Sequence, residues 1–66
     1  MSVAKIIEIS AESPNSFDDA IRDGVRRAGK TVKNIRSAWV ADQQVEVKDD
    51  EVVMFRVHLK ITFVID

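Results

Sequence analysis

The chain has 66 residues, a formal net charge of −1, ten Lys and Arg against eleven Asp and Glu, one histidine and no cysteine. That composition excludes disulfides and thiolate metal sites, and a multi-histidine zinc site cannot form within one copy. The even charge balance argues against nucleic-acid binding through bulk positive charge.

The length allows one domain over residues 1–66. A chain of this size buries only about 60% of its extended surface on folding and rarely gains more than about 5 kcal/mol from one core. With no cysteines and a lone His58, self-association is the remaining way to add stability. No apolar run reaches the length of a membrane span, and the start lacks the layout of a signal peptide, so the expected location is the cytoplasm.

"VAKIIEIS", Val3 to Ser10, is short and β-branched and predicts a strand. "AESPNS" then predicts a loop. Ser16 is placed to cap a helix, with Asp18 and Asp19 at the positive end of its dipole. Phe17, Ile21, Val25, Ala28 and Val32 recur on one helical stripe. The opposite face offers the i,i+4 pairs Asp18–Arg22 and Asp23–Arg27. Gly24 and Gly29 each weaken the helix by about 1 kcal/mol relative to Ala, which close approach to a sheet would explain.

From Ile35 to Lys48 the pattern is extended, and "KDDE", Lys48 to Glu51, is the one turn signal before the chain returns. Val53, Phe55, Val57, Leu59, Ile61, Phe63 and Ile65 then alternate strictly with Met54, Arg56, His58, Lys60 and Thr62. This period of two is the strongest structural signal in the sequence. The order is strand, helix, two long strands. The fold class is α+β: a three-stranded antiparallel sheet wrapped on one helix.

A hairpin turning about Asp49 and Asp50 opposes Val40 to Leu59, Ala38 to Ile61 and Arg36 to Phe63. It also opposes Ser37 to Thr62, Trp39 to Lys60, Ala41 to His58 and Gln43 to Arg56. Opposed residues share a face. Trp39, the only tryptophan, therefore lies on the face away from the helix. In this register Val45, Met54, Val47 and Val52 join it there as a second apolar group. Such a patch marks an interaction surface, so Trp39 is an interface residue, a ligand platform, or both. Asp42, Gln43, Gln44 and Glu46 are a polar run that suits a sugar, a polyol chain, a cation or plain solvent. Arg56, His58 and Lys60 form a basic row that suits phosphate, carboxylate or cross-strand pairing. No nucleophile with a base and no glycine-rich phosphate loop is present, so nothing points to an enzyme.

Three stretches together carry a resemblance: "VAKIIEISAESPNSFDDAI", "GKTVKNIRSAWV" and "FRVHLKITFVID". The chain resembles the dodecins, small flavin-binding proteins, over nearly its whole length. The resemblance implies a hollow homododecamer with flavin (riboflavin, FMN or FAD) held in pairs between subunits, stored, buffered or quenched rather than turned over. An indole against an excited isoalloxazine quenches it by donating an electron. Two positions depart from the flavin-binding pattern. Ser37 stands where many dodecins have the stacking tryptophan, with Trp39 two residues later, and Arg56 stands where many have a glutamine. The resemblance then implies that Trp39 stacks, that Arg56 and Gln44 address polar ring atoms, and that Asp42 and Glu46 meet the ribityl hydroxyls. Ser37 and Ala38 border the site. The alternative within the same family is a structural shell without flavin that holds a cation, coenzyme A or nothing.

Overall fold

The computed structural model describes residues 2–65. Three strands and one helix follow in the order β1 (Val3–Ser13), α1 (Phe17–Ala28), β2 (Ile35–Lys48) and β3 (Glu51–Ile65). The sheet is antiparallel with β3 central, in the order β1-β3-β2. This is the β-α-β-β arrangement expected from the alternation. No helix is long and apolar enough to cross a membrane among the described residues.

The first strand runs three residues past the expected boundary. Ala11, Glu12 and Ser13 continue the ladder opposite Val57, Arg56 and Phe55. The reason is β3, long enough to pair every residue of β1. The loop shrinks to Pro14–Ser16, and Ser13 becomes a buried polar hinge. Its hydroxyl accepts from the Asn15 amide at 3.0 Å and donates to Asp19 Oδ2 at 2.6 Å.

The helix begins as its sequence dictates. Ser16 is extended, and its side chain accepts from the Asp19 amide at 2.9 Å. The expected ion pairs form on the solvent face, Arg22–Asp18 at 2.9 Å and Arg27–Asp23 at 3.1 Å, with Arg26 also 3.7 Å from Asp23. Such exposed pairs are screened by solvent and contribute little to stability. The α-helix ends at Ala28. Turn-type bonds from Lys30 to Arg27 and from Thr31 and Val32 to Ala28 then carry the chain around, so Val32 lies in the turn rather than the helix.

The core is Ala20 on the helix against Val57, Leu59 and Ile61 on the central strand, with Ile7, Ile9, Phe17, Ile21, Val25 and Val40 packed around it. Phe17 meets Phe55 edge-on at 5.1 Å. Gly24 is where helix and sheet come closest: a Cβ there would sit 2.9 Å from Ala11 Cβ and 3.2 Å from Leu59 Cδ1. Gly29 has no such role, since its Cβ would meet only carbonyls of its own helix, at 3.4 Å or more.

The subunit is not compact. Its long axis is 51 Å and its radius of gyration 13.6 Å, against about 11 Å for a globule of this length. It exposes 4977 Å², against roughly 4,200 Å² for a compact monomer of this mass. The excess lies where the hairpin outruns the helix. Twelve helical residues span about 18 Å. Beyond Phe55 the β2–β3 arm continues with Val45, Val47, Val52 and Val53 all exposed.

Candidate functional site

The uncovered face of the sheet is a ladder of rows read across β1, β3 and β2. Ile6, Thr62 and Ser37 form the first row, and Glu8, Lys60 and Trp39 the second. Ser10, His58 and Asp42 follow, then Glu12, Arg56 and Gln44, and last Met54 with Glu46. A basic column on the central strand is thus flanked by acidic or amide columns on both sides.

Near the tryptophan the expected register holds. Trp39 pairs with Lys60, Val40 with Leu59, Ala38 with Ile61 and Ser37 with Thr62. Ile35, not Arg36, pairs with Phe63, because Arg36 is an extra residue in the ladder. Past Val40 a bulge inserts Ala41, so that Asp42 meets His58 and Gln44 meets Arg56. The expectations Ala41–His58 and Gln43–Arg56 are each one residue out. A bulge places two residues of one strand against one of the other and breaks the alternation. Asp42, Gln44 and Glu46 thereby join Trp39 on one face.

The same bulge overturns the expected second apolar group. Val45 pairs with Phe55, on the helix side. A second irregularity, an extra Val53 on β3, leaves Val47 opposite Val52. Regular alternation along β2 from Glu46 puts that pair on the helix side too. Of the expected group only Trp39 and Met54 stay on the outer face, joined by the exposed Ile6. The other valines form a separate strip under the hairpin arm.

Six of the seven expected site residues, Ser37, Trp39, Asp42, Gln44, Glu46 and Arg56, therefore share the outer face. Ala38 does not: it opposes Ile61, a core residue, so its side chain belongs to the helix side. Trp39 is 66% exposed, and Lys60 Nζ lies 5.0 Å from its ring centroid. An ammonium over an indole face is attracted by the ring quadrupole. Lys60 Nζ also lies 3.9 Å from Glu8, which in turn lies 3.8 Å from His58 Nε2.

Arg56 is differently placed. It is bound by both Glu12 and Glu46, one on each flanking strand. The hydrogen bonds from Glu46 and then Glu12, the larger causes, raise its pKa further above the ordinary guanidinium value. The guanidinium is thus a strap across three strands that also fixes Glu46 beyond the bulge. Among the described residues, Asp42 and Gln44 make no side-chain hydrogen bond, so their polar atoms stand open to a ligand. Glu8, Glu12 and Ile6 also belong to this face and escaped the sequence reading, because β1 pairing alone brings them there. The alternation of Ile6, Glu8, Ser10 and Glu12 against Ile7, Ile9 and Ala11 is the signal that could have found them.

The arrangement fits a flat ring system laid on Trp39. The indole is exposed, Gln44 supplies both a donor and an acceptor, and Asp42 supplies acceptors for hydroxyls. A cation fits one copy less well. Among the described residues no three acidic or histidine side chains gather to hold one, and two of the carboxylates are engaged by Arg56.

The fold is matched among known proteins. The sequence model of the dodecin family matches residues 3–66. A calcium dodecin of Mycobacterium tuberculosis is 36% identical over 63 residues, covering 96% of this chain and 89% of the relative. Among solved structures, a dodecin from Streptomyces davaonensis superposes with a TM-score of 0.93 at 28% identity, covering 98% of this chain and 96% of that one. The calcium-chelating calcium dodecin of M. tuberculosis superposes with a TM-score of 0.82 at 35% identity, covering 94% and 89%.

Proposed function

Because the chain belongs to the dodecin family, we propose that it assembles into a hollow homododecamer that stores, buffers or quenches flavins in sites between its copies. The observation that carries this reading is Trp39, the one tryptophan, exposed on the face the helix leaves open and joined there by Asp42 and Gln44. Stacking on an indole contributes about 0.5–1.5 kcal/mol beyond area burial. Gln44 addresses the polar edge of the ring. Asp42 meets the ribityl hydroxyls. Arg56 holds Glu46 in place. Twelve copies give the exposed Ile6, Trp39 and hairpin-arm valines other subunits to pack against.

The test is a titration of the purified assembly with riboflavin or FMN, followed by flavin fluorescence. Quenching with saturable binding is expected, and Trp39→Ala should lose affinity while the native mass is unchanged. Flavin that keeps its fluorescence at saturating protein defeats the reading.

A second reading is favoured by the calcium dodecin relative: a shell of the same fold that binds a divalent cation instead. Hard cations take six to eight oxygens. With Glu12 and Glu46 tied to Arg56, such a site would draw carboxylates from more than one copy. Calcium binding that survives Trp39→Ala, in a protein that leaves flavin fluorescence untouched, would establish this reading over the first.

A further inference from the structure

Away from the outer face, the charges of the subunit are sorted along its 51 Å axis. The tip of the hairpin arm carries Asp49, Asp50 and Glu51, with one cation, Lys48, opposite Glu51. The other end of the sheet, around the Phe63 row, carries Lys5 on β1 and Arg36 on β2. Lys30 and Lys33 lie in the turn after α1, and the Val64 amide donates to the Asn34 carbonyl at 3.0 Å, which seats that turn at the same end. These side chains are exposed, and among the described residues none of the three tip carboxylates and none of Lys5, Lys30, Lys33 and Arg36 is in an ion pair. The sequence adds Asp66 after Ile65, outside the described residues, so cations still outnumber anions there.

Each end also exposes apolar side chains on the helix side of the sheet. The arm has Val45 and the Val47–Val52 pair, and the basic end has the Val3–Ile65 pair, in phase with Ile7–Ile61. Apolar surface alone would let two arms pack on each other. That arrangement brings two acidic tips together, and like charges set side by side at an interface are repelled. Arm against basic end buries the same kind of apolar surface and joins opposite charges. The 4977 Å² that the subunit exposes is roughly 800 Å² more than a compact monomer of its mass shows, about what one partner gives to a standard interface.

We propose that the acidic hairpin tip of one copy docks on the basic end of the next, with Asp49, Asp50 and Glu51 facing Lys30 and Lys33. Such a contact is head-to-tail, and head-to-tail contacts close into rings or run on as filaments. A closed shell requires the ring. The inference rests on the assembly reading above and assigns it a contact; the Trp39 seat has no part in it.

The experiment mixes isotopically labelled and unlabelled assemblies at low ionic strength and reads the rate of subunit exchange from the native mass. It compares wild type, Asp49→Asn with Asp50→Asn, Lys30→Gln with Lys33→Gln, and the protein carrying all four changes. Asn tolerates the positive φ of both tip positions, so the turn is kept. Each pair of changes should speed exchange about fivefold, the size of one solvent-exposed ion pair. All four together should be no faster than either pair, because each pair removes the same attraction. At about 1 M salt, where the screening length falls to about 3 Å, wild type should exchange as fast as the fourfold variant. Effects of the two pairs that multiply, or exchange that neither pair alters, overturns the contact while leaving the shell and flavin binding standing. A wild type that stays a single chain overturns it together with the shell reading. Should a variant not assemble, the wild-type salt dependence decides, and an exchange rate indifferent to salt overturns the contact.

Discussion

Replacing Gly24 with alanine should destabilise the protein, although alanine is the better helix former. The propensity gain is about 1 kcal/mol. Against it stands a Cβ placed 2.9 Å from Ala11 Cβ and 3.2 Å from Leu59 Cδ1. Ala11 has no side-chain torsion to turn away with, and its backbone is pinned in the ladder opposite Val57. Leu59 is fully buried against the helix. Relief requires lifting the helix off the sheet, and overpacking of this kind costs about 1–3 kcal/mol. The net expectation is a loss near 1 kcal/mol, which for a domain of this size lowers the melting temperature by roughly 4–8 °C. Gly29→Ala is the control. Its backbone is helical, and its Cβ meets only carbonyls at 3.4 Å or beyond, so it should gain roughly 0.4–1 kcal/mol through the unfolded state. Both variants are to be melted at one fixed protein concentration with the native mass checked, since assembly itself raises the midpoint. If Gly24→Ala melts as high as Gly29→Ala, the close approach of helix to sheet does not constrain this site and the reasoning fails.

Two further effects are expected. Asp49 and Asp50 both have positive φ, 53° and 64°, as a two-residue hairpin loop of the primed type requires; Asp50→Gly should therefore stabilise by about 0.5–1 kcal/mol, read as a raised denaturation midpoint, and a lowered midpoint would refute it. The Asp19 carboxyl is held below its ordinary value of 3.8 by the Ser13 hydroxyl first, then Asn15, with Arg26 assisting and desolvation opposing. A depressed folded value means that the contribution is complete above 3.8 and lost as pH falls through the folded value. Asp19→Asn should flatten the acid limb of the stability–pH curve and Ser13→Ala should flatten it partly; an unchanged limb in both would show that this carboxyl is not linked to folding.

The fold was legible because its signals are local. Strict alternation from Val53 to Ile65 marks the central strand, and Ser16 with the acidic first turn marks the helix start. The turn at Asp49–Asp50 follows from the only polar break between two extended runs, and with it comes the Trp39–Lys60 pairing. What escaped is the parity of the hairpin arm. A bulge is one extra residue, and nothing in the chemistry of Ala41 or Val53 announces it. The trace it leaves is a change of phase: Val40 is apolar at an even position, whereas Val45 and Val47 are apolar at odd ones. A single register must put these on opposite faces. A bulge between them puts all three on the helix side, which is what β2 does.

That change of phase decides which residues the tryptophan keeps company with. Without the extra Ala41, Trp39 would share its face with Gln43 and Val45, and Asp42, Gln44 and Glu46 would face the helix. With it, an exposed indole stands over a ladder of hydrogen-bonding side chains, and the valines move beneath the arm. The indole and the valine strip are thus set on opposite faces, where a single register would have merged them. The strip of Val45, Val47, Val52 and Val53 lies exposed along the hairpin arm. The Trp39 side keeps polar groups, Asp42 and Gln44, that make no side-chain hydrogen bond among the described residues, beside a lysine 3.9 Å from Glu8. Packing between subunits rewards buried apolar area and tolerates few unsatisfied polar atoms. A surface combining one large aromatic with open donors and acceptors meets that requirement poorly alone and well with a polar aromatic ligand between the copies, which is why the geometry favours a ligand seat at Trp39 over simple subunit packing.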